Sequence, residues 1–108
     1  MENSIPSSEF ESLKSEIRSF AAARNWEQFH TPKNLAMAVT GEAGELAAEF
    51  QWLTAQQSSL ESLSAEQLDA ISLEIADVQI YLLRLADVLN VNVPDVVRKK
   101  LQINEDRF

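Results

Sequence analysis

The sequence has no cysteine, which excludes disulfides and thiolate metal sites. Only two glycines and three prolines occur in 108 residues. So few turn-forming residues disfavour a many-stranded β fold. No apolar run approaches the roughly 20 residues of a membrane span. The opening Met1-Glu2-Asn3-Ser4 lacks the basic and apolar regions of a signal peptide. A cytoplasmic protein with no membrane partner is the expectation. Basic residues are also scarce: nine Lys and Arg stand against seventeen Asp and Glu, for a net charge of −8. A nucleic-acid binder would show a basic stripe, so nucleic acid is not an expected partner. An anionic ligand could still bind through divalent cations, which are often the largest local charges in a site.

What is present is helical. The length is that of one domain. A chain this short buries only about two-thirds of its unfolded surface, so it gains from an oligomeric partner. Residues 1–7 read as a disordered tail and residues 8–108 as a single domain. Ser8-x-x-Glu11 is a capping-box pattern, followed by Phe10, Leu13, Ile17 and Phe20 at helical spacing; this first helix runs to about Arg24. An aromatic connector, Asn25 to His30, follows. Thr31-Pro32 places a cap and a first-turn proline at the start of a second helix, predicted to reach about Leu53. A Gln- and Ser-rich loop covers 54–63. Ser64-x-x-Gln67 is another capping-box pattern, opening a third helix from about Ala65 to Leu89. Asn92-Val93-Pro94-Asp95 opens a fourth, to about Asp106.

The third helix carries Leu68, Ile71, Ile75, Val78, Leu82, Leu85 and Leu89 in steps of three and four, a heptad seam. The second carries Leu35, Val39, Leu46, Phe50 and Leu53 on one side. Facing stripes of this kind make an all-α, four-helix bundle-type subunit. Leu73, Ile80 and Leu83 lie outside the seam. A helix apolar nearly all round is buried on several sides, which suggests assembly into a homo-oligomer.

Acidic residues fall beside these stripes, not opposite them. On a helical wheel Ala38, Glu42, Glu45, Glu49 and Trp52 form one narrow stripe, and Glu74, Asp77, Tyr81 and Arg84 another. Charge clusters on helices are commonly solvated faces, and like charges three or four apart mildly destabilise a helix. Here both clusters have the form acid-x-x-acid, so two carboxylates could share one cation. Each has an aromatic residue one turn on. The spacer also allows an antiparallel return that brings the pairs together. Four carboxylates without histidine favour a hard, oxygen-preferring cation. Di-iron bundles use Glu-x-x-His pairs, and His30 lies in neither cluster; it reads as a loop or interface residue. Near the C-terminus Lys100, Asn104 and Arg107 share one helical face and suit phosphate oxygens, although Lys and Arg at a helix end also complement its dipole.

The sequence resembles the MazG-like all-α nucleoside triphosphate pyrophosphohydrolases, close to their dCTP pyrophosphatase branch. The resemblance covers roughly residues 10–108. It rests on Glu42-Ala43-Gly44-Glu45 with Glu74-Ile75-Ala76-Asp77, on Arg24-Asn25-Trp26-Glu27-Gln28-Phe29-His30 with Pro32 and Asn34-Leu35, and on Phe50-Gln51-Trp52. Asp77-Val78-x-Ile80-Tyr81-Leu82 and Lys100-x-x-x-Asn104-x-x-Arg107 add to it. The resemblance implies cleavage of a (d)NTP to the (d)NMP and pyrophosphate, with water attacking the α-phosphate. It implies Mg²⁺, or Mn²⁺ in its place, on Glu42, Glu45, Glu74 and Asp77. Trp26, Trp52 and Tyr81 match a nucleoside pocket, and Lys100, Asn104 and Arg107 match phosphate and sugar contacts. Glu42, Glu45 or Glu49 would serve as general base. Family members are homodimers or homotetramers. One departure concerns the base: relatives preferring dCTP carry a histidine where this chain has Ile17. The competing readings are a nucleotide-binding helical scaffold or regulatory module without hydrolysis, and a purely structural acidic bundle.

Overall fold

The computed structural model describes residues 8–108; the tail expected over 1–7 lies outside the described residues. They form α1 (Glu9–Ala23), a 3₁₀ turn (Glu27–Phe29), α2 (Pro32–Ala48), α3 (Ala65–Val88) and α4 (Val93–Arg107). No strand occurs among the described residues, so the all-α expectation holds. None of these helices is long and apolar enough to cross a membrane.

The chain divides into two compact units, one of Met1–Pro32 with Leu83–Phe108, the other Lys33–Leu82. In the first unit, α1 starts at Ser8, whose Oγ accepts from the Glu11 N–H. The Glu11 carboxylate turns instead to Lys14 Nζ at 3.1 Å. With so little glycine, asparagine ends α1 and α3. Asn25 and Asn90 take the left-handed conformation, at φ 57° and 56°, which Asn tolerates better than most residues. The Trp26 N–H then reaches back to the Ala21 carbonyl, and the Val91 N–H to that of Ala86. These are Schellman closures that satisfy carbonyls left over at the helix end. Asn92 accepts from the Asp95 N–H and starts α4. Ala21, Leu83 and Ala86 are buried in this unit, together with Lys14 and Arg84.

In the second unit Leu35 and Ile71 are the buried apolar side chains. The predicted Ser64–Gln67 box forms in both directions, Ser64 N–H to Gln67 Oε1 and Gln67 N–H to Ser64 Oγ. The second helix departs from expectation: it stops at Ala48, not near Leu53. Glu49, Phe50 and Gln51 donate to carbonyls three residues back, which tightens the last turn. Thr54 and Gln57 then bond reciprocally, and the loop begins. The wheel that placed Glu49 and Trp52 on the stripe of Glu42 and Glu45 therefore runs past the end of the helix. The seam of α3 is half covered: Ile71, Val78 and Leu85 are buried or half-buried, whereas Leu68, Ile75, Leu82 and Leu89 are exposed. Leu83, expected outside the seam, is buried instead. Leu73 and Ile80 stay exposed.

Candidate functional site

The acidic residues meet in the second unit. α2 presents Glu42 and Glu45, and α3 presents Glu74 and Asp77, each pair one turn apart. Carboxylate oxygens of Glu42, Glu74 and Asp77 all lie within 4.8 Å of one another, and all three side chains are half-buried. Glu45 is exposed. Its charge nonetheless reaches the cluster. Burial, then the charges of Asp77 and Glu45, push the Glu42 carboxyl above its ordinary range. Glu74 is also raised, first by burial, then by Glu45, Asp77, Glu42 and Glu49. Both causes disfavour the ionised form.

One atom identifies what the cluster lacks. Glu74 Oε2 is buried and has no hydrogen-bond partner. Nearly all buried polar atoms in folded proteins are paired, and an unpaired carboxylate oxygen among other carboxylates is costly. A cation removes both penalties. The donors are all carboxylate oxygens, which suit a hard divalent ion. The arrangement is consistent with a divalent metal held by Glu42, Glu74 and Asp77.

Glu49 is exposed, one residue past α2, and its charge still bears on Glu74. Tyr81 is half-buried on α3, one turn beyond Asp77. Trp52, in the turns after α2, is 86% exposed. In the first unit, Trp26 precedes the 3₁₀ turn and meets Phe20 edge-on, with ring centroids 5.7 Å apart. The Arg24 guanidinium lies 3.5 Å above the Phe20 ring centroid. On α4, Lys100 and Arg107 are exposed and Asn104 is half-buried. Ile17 is half-buried on α1.

Sequence reasoning missed one group. Arg84, placed on the acidic stripe by the wheel, is buried and belongs to the first unit. Its Nε donates to His30 Nδ1 at 3.1 Å and its Nη1 to Asp87 Oδ2 at 3.2 Å. Asp87 also accepts two bonds from Arg18, at 2.8 and 2.6 Å. Arg18, followed by burial opposing it, sets the Asp87 carboxyl below its ordinary value. The available signal was a lone arginine in the apolar run Ile80 to Ala86, which requires partners wherever it is buried.

No protein-family model matches the sequence. The human dCTP pyrophosphatase 1 is 45% identical over 89 residues, which are 82% of this chain and 52% of that protein. The mouse dCTP pyrophosphatase 1 is 42% identical over the same length. The chain thus spans about half the length of the curated relatives it matches. A pyrophosphatase from Archaeoglobus fulgidus superposes with a TM-score of 0.86 at 36% identity, covering 99% of this chain and 98% of that one. Together with the all-α fold and the acid-x-x-acid pairs of α2 and α3, these likenesses put the chain among the pyrophosphatases. The chain belongs to the MazG-like all-α nucleoside triphosphate pyrophosphohydrolase family.

Proposed function

We propose that the protein is a Mg²⁺-dependent nucleoside triphosphate pyrophosphohydrolase that converts a dNTP, with dCTP or a related nucleotide favoured, to the dNMP and pyrophosphate. The observation that carries this reading is the partnerless, buried Glu74 Oε2 among three converging carboxylates. Glu42, Glu74 and Asp77 would hold the ion, or Mn²⁺ in its place, with Glu45 as the fourth ligand. When bound, such an ion neutralises triphosphate charge and acidifies water.

The remaining work falls to the chain itself. A carboxylate takes the proton from the water that attacks the α-phosphate, and Glu42, Glu45 and Glu49 are the candidates. Glu49 stands outside the three-carboxylate group, where an ion would not occupy its lone pairs. Trp26, Trp52 and Tyr81 offer rings for base stacking, worth about 1–3 kcal/mol per base and tolerant of base identity. Lys100, Asn104 and Arg107 offer two cations and an amide for phosphate and sugar. Ile17 supplies no polar group toward a base edge, which favours a looser preference than a hydrogen-bonding side chain would give. Leu73 and Ile80, two turns apart and exposed on α3, support a homodimer or homotetramer, because apolar side chains left outside a subunit's core are free to meet a second copy.

The test is pyrophosphate release from a panel of dNTPs with and without Mg²⁺. Turnover that needs the ion supports the reading. Folded protein that binds Mg-nucleotide tightly but turns over none of them would establish a binding module instead.

A further inference from the structure

The proposed chemistry makes no use of a chain of hydrogen-bonded side chains in the first unit. It runs Arg18–Asp87–Arg84–His30, through bonds of 2.8 and 2.6 Å, 3.2 Å and 3.1 Å in turn. Its centre is out of water: Arg84 is 6% exposed. A guanidinium is always charged and only donates. Arg84 therefore needs an acceptor at each end, and it has Asp87 at one and His30 Nδ1 at the other. Accepting at Nδ1 requires that nitrogen to carry no proton, so the bond fixes His30 as neutral with its hydrogen on Nε2.

His30 closes the connector that holds Trp26. The two rings are 6.4 Å apart between centroids. The His30 N–H returns to the Glu27 carbonyl and the Phe29 N–H to the Trp26 carbonyl, so the segment is one hydrogen-bonded turn. The Trp26 N–H on the Ala21 carbonyl and Gln28 Nε2 on the Asn25 carbonyl tie the turn to the end of α1, and Trp26 remains 42% exposed. The bond from buried Arg84, itself held by Asp87, ties this turn to α3.

We propose that Arg84 is a positioning residue for nucleotide binding: by holding neutral His30 it fixes the connector that presents the Trp26 ring. This inference rests on the reading that Trp26 stacks on the base. Protonation of His30 converts its acceptor into a second donor facing Arg84 and releases the connector. The ionisable groups facing His30 are Arg84 from α3 and Glu27 from the 3₁₀ turn; Asp87 lies behind Arg84 and is shared with Arg18. Burial first, then Arg84, hold the His30 value below 6.5, with Glu27 opposing them.

The experiment has two arms. In the first, Trp26 fluorescence is followed against pH without nucleotide, in a Trp52→Phe background. The expected result is a transition below pH 6.5 that disappears in His30→Gln, whose amide oxygen accepts from Arg84 but does not titrate. In the second, KM for dCTP is measured from pH 7.5 to 5.5. The ratio of wild-type KM to that of His30→Gln should rise about tenfold on acidification, as expected for loss of a charge-assisted hydrogen bond. Arg84→Met should raise KM by a similar factor at pH 7.5 with kcat within about twofold, because the lost interaction is one of binding. Turnover with no fluorescence transition and an unchanged KM ratio would overturn the role of Arg84 and leave the enzyme reading standing. A His30-dependent transition in a protein that hydrolyses nothing would overturn the enzyme reading and leave the connector fixture standing. If Arg84→Met does not fold, the comparison with His30→Gln still decides the matter.

Discussion

Glu42 on α2 and Glu74 on α3 bring carboxylate oxygens within 4.8 Å of each other, and Asp77 completes the triangle. Three like charges so close repel, and a helix pair that holds them without a counter-ion is less stable than it need be.

A divalent ion should stabilise the folded protein. An ion that binds only the folded state contributes about 2.7 kcal/mol at a hundredfold excess over its Kd, which for a domain of this size is a rise in Tm of about 10 °C. Thermal melts with and without Mg²⁺ should show a rise of this order in the wild type and little in Glu74→Gln. Equal rises in both would remove Glu74 from the ligand set.

Without metal the order reverses. The Glu42 and Glu74 carboxyls sit above their ordinary value of 4.5 in the folded state, so the folded protein binds more protons than the unfolded chain just above that value. Their ionisation destabilises the fold, fully so at neutral pH, and the effect fades as pH falls through the raised values. In chelator, Glu74→Gln should melt above the wild type at pH 7.5, and the gap should narrow toward pH 4.5. A gap independent of pH would contradict the electrostatic origin.

Asp87 behaves in the opposite sense. Arg18 holds its folded-state value below 3.8, so the stability it contributes is present above that pH and is lost as pH falls through the lowered value. Asp87→Asn leaves Arg84 buried without its carboxylate, a change that costs about 3 kcal/mol. Urea unfolding should show that loss at constant size from pH 7 to 5 and a shrinking one below pH 4. A loss under about 0.5 kcal/mol would mean that the pair contributes nothing beyond a surface ion pair.

Gly41 and Gly44 stand in the interior of α2, and a Cβ at either would meet no atom within 4 Å. Helix-interior glycine costs roughly 1 kcal/mol relative to alanine. Gly41→Ala and Gly44→Ala should each raise the urea midpoint by a corresponding amount. Stabilisation with loss of turnover would show that the space beside these glycines is used by substrate or by a second subunit.

Much of this was legible in the sequence, where local chemistry decides structure. Ser8, Ser64 and Asn92 mark their helix starts because a side-chain oxygen and an N–H three residues on are local partners. Glu74 and Asp77 lie together because acid-x-x-acid spacing puts neighbours on one helical face; Glu42 joins them from α2, while Glu45, its partner in spacing, stays exposed. The end of α2 was not legible: the tightened turn at Glu49 to Gln51 and the Thr54–Gln57 box compete with continued helix, and the periodicity of Phe50 and Leu53 hides them. The Schellman ends at Asn25 and Asn90 carry a weaker signal than glycine would. Arg84 was misplaced because a wheel gives direction around one helix and says nothing of partners 54 residues away.

Hydrolysis of dCTP in H₂¹⁸O with Mg²⁺ tests directly which phosphorus the water attacks and whether Glu74 is needed. Water attack at the α-phosphate gives dCMP and pyrophosphate in equal amounts, the label in the dCMP phosphate, and no reaction by Glu74→Gln or in chelator. Label in pyrophosphate, release of inorganic phosphate with dCDP, or full activity in Glu74→Gln would contradict it.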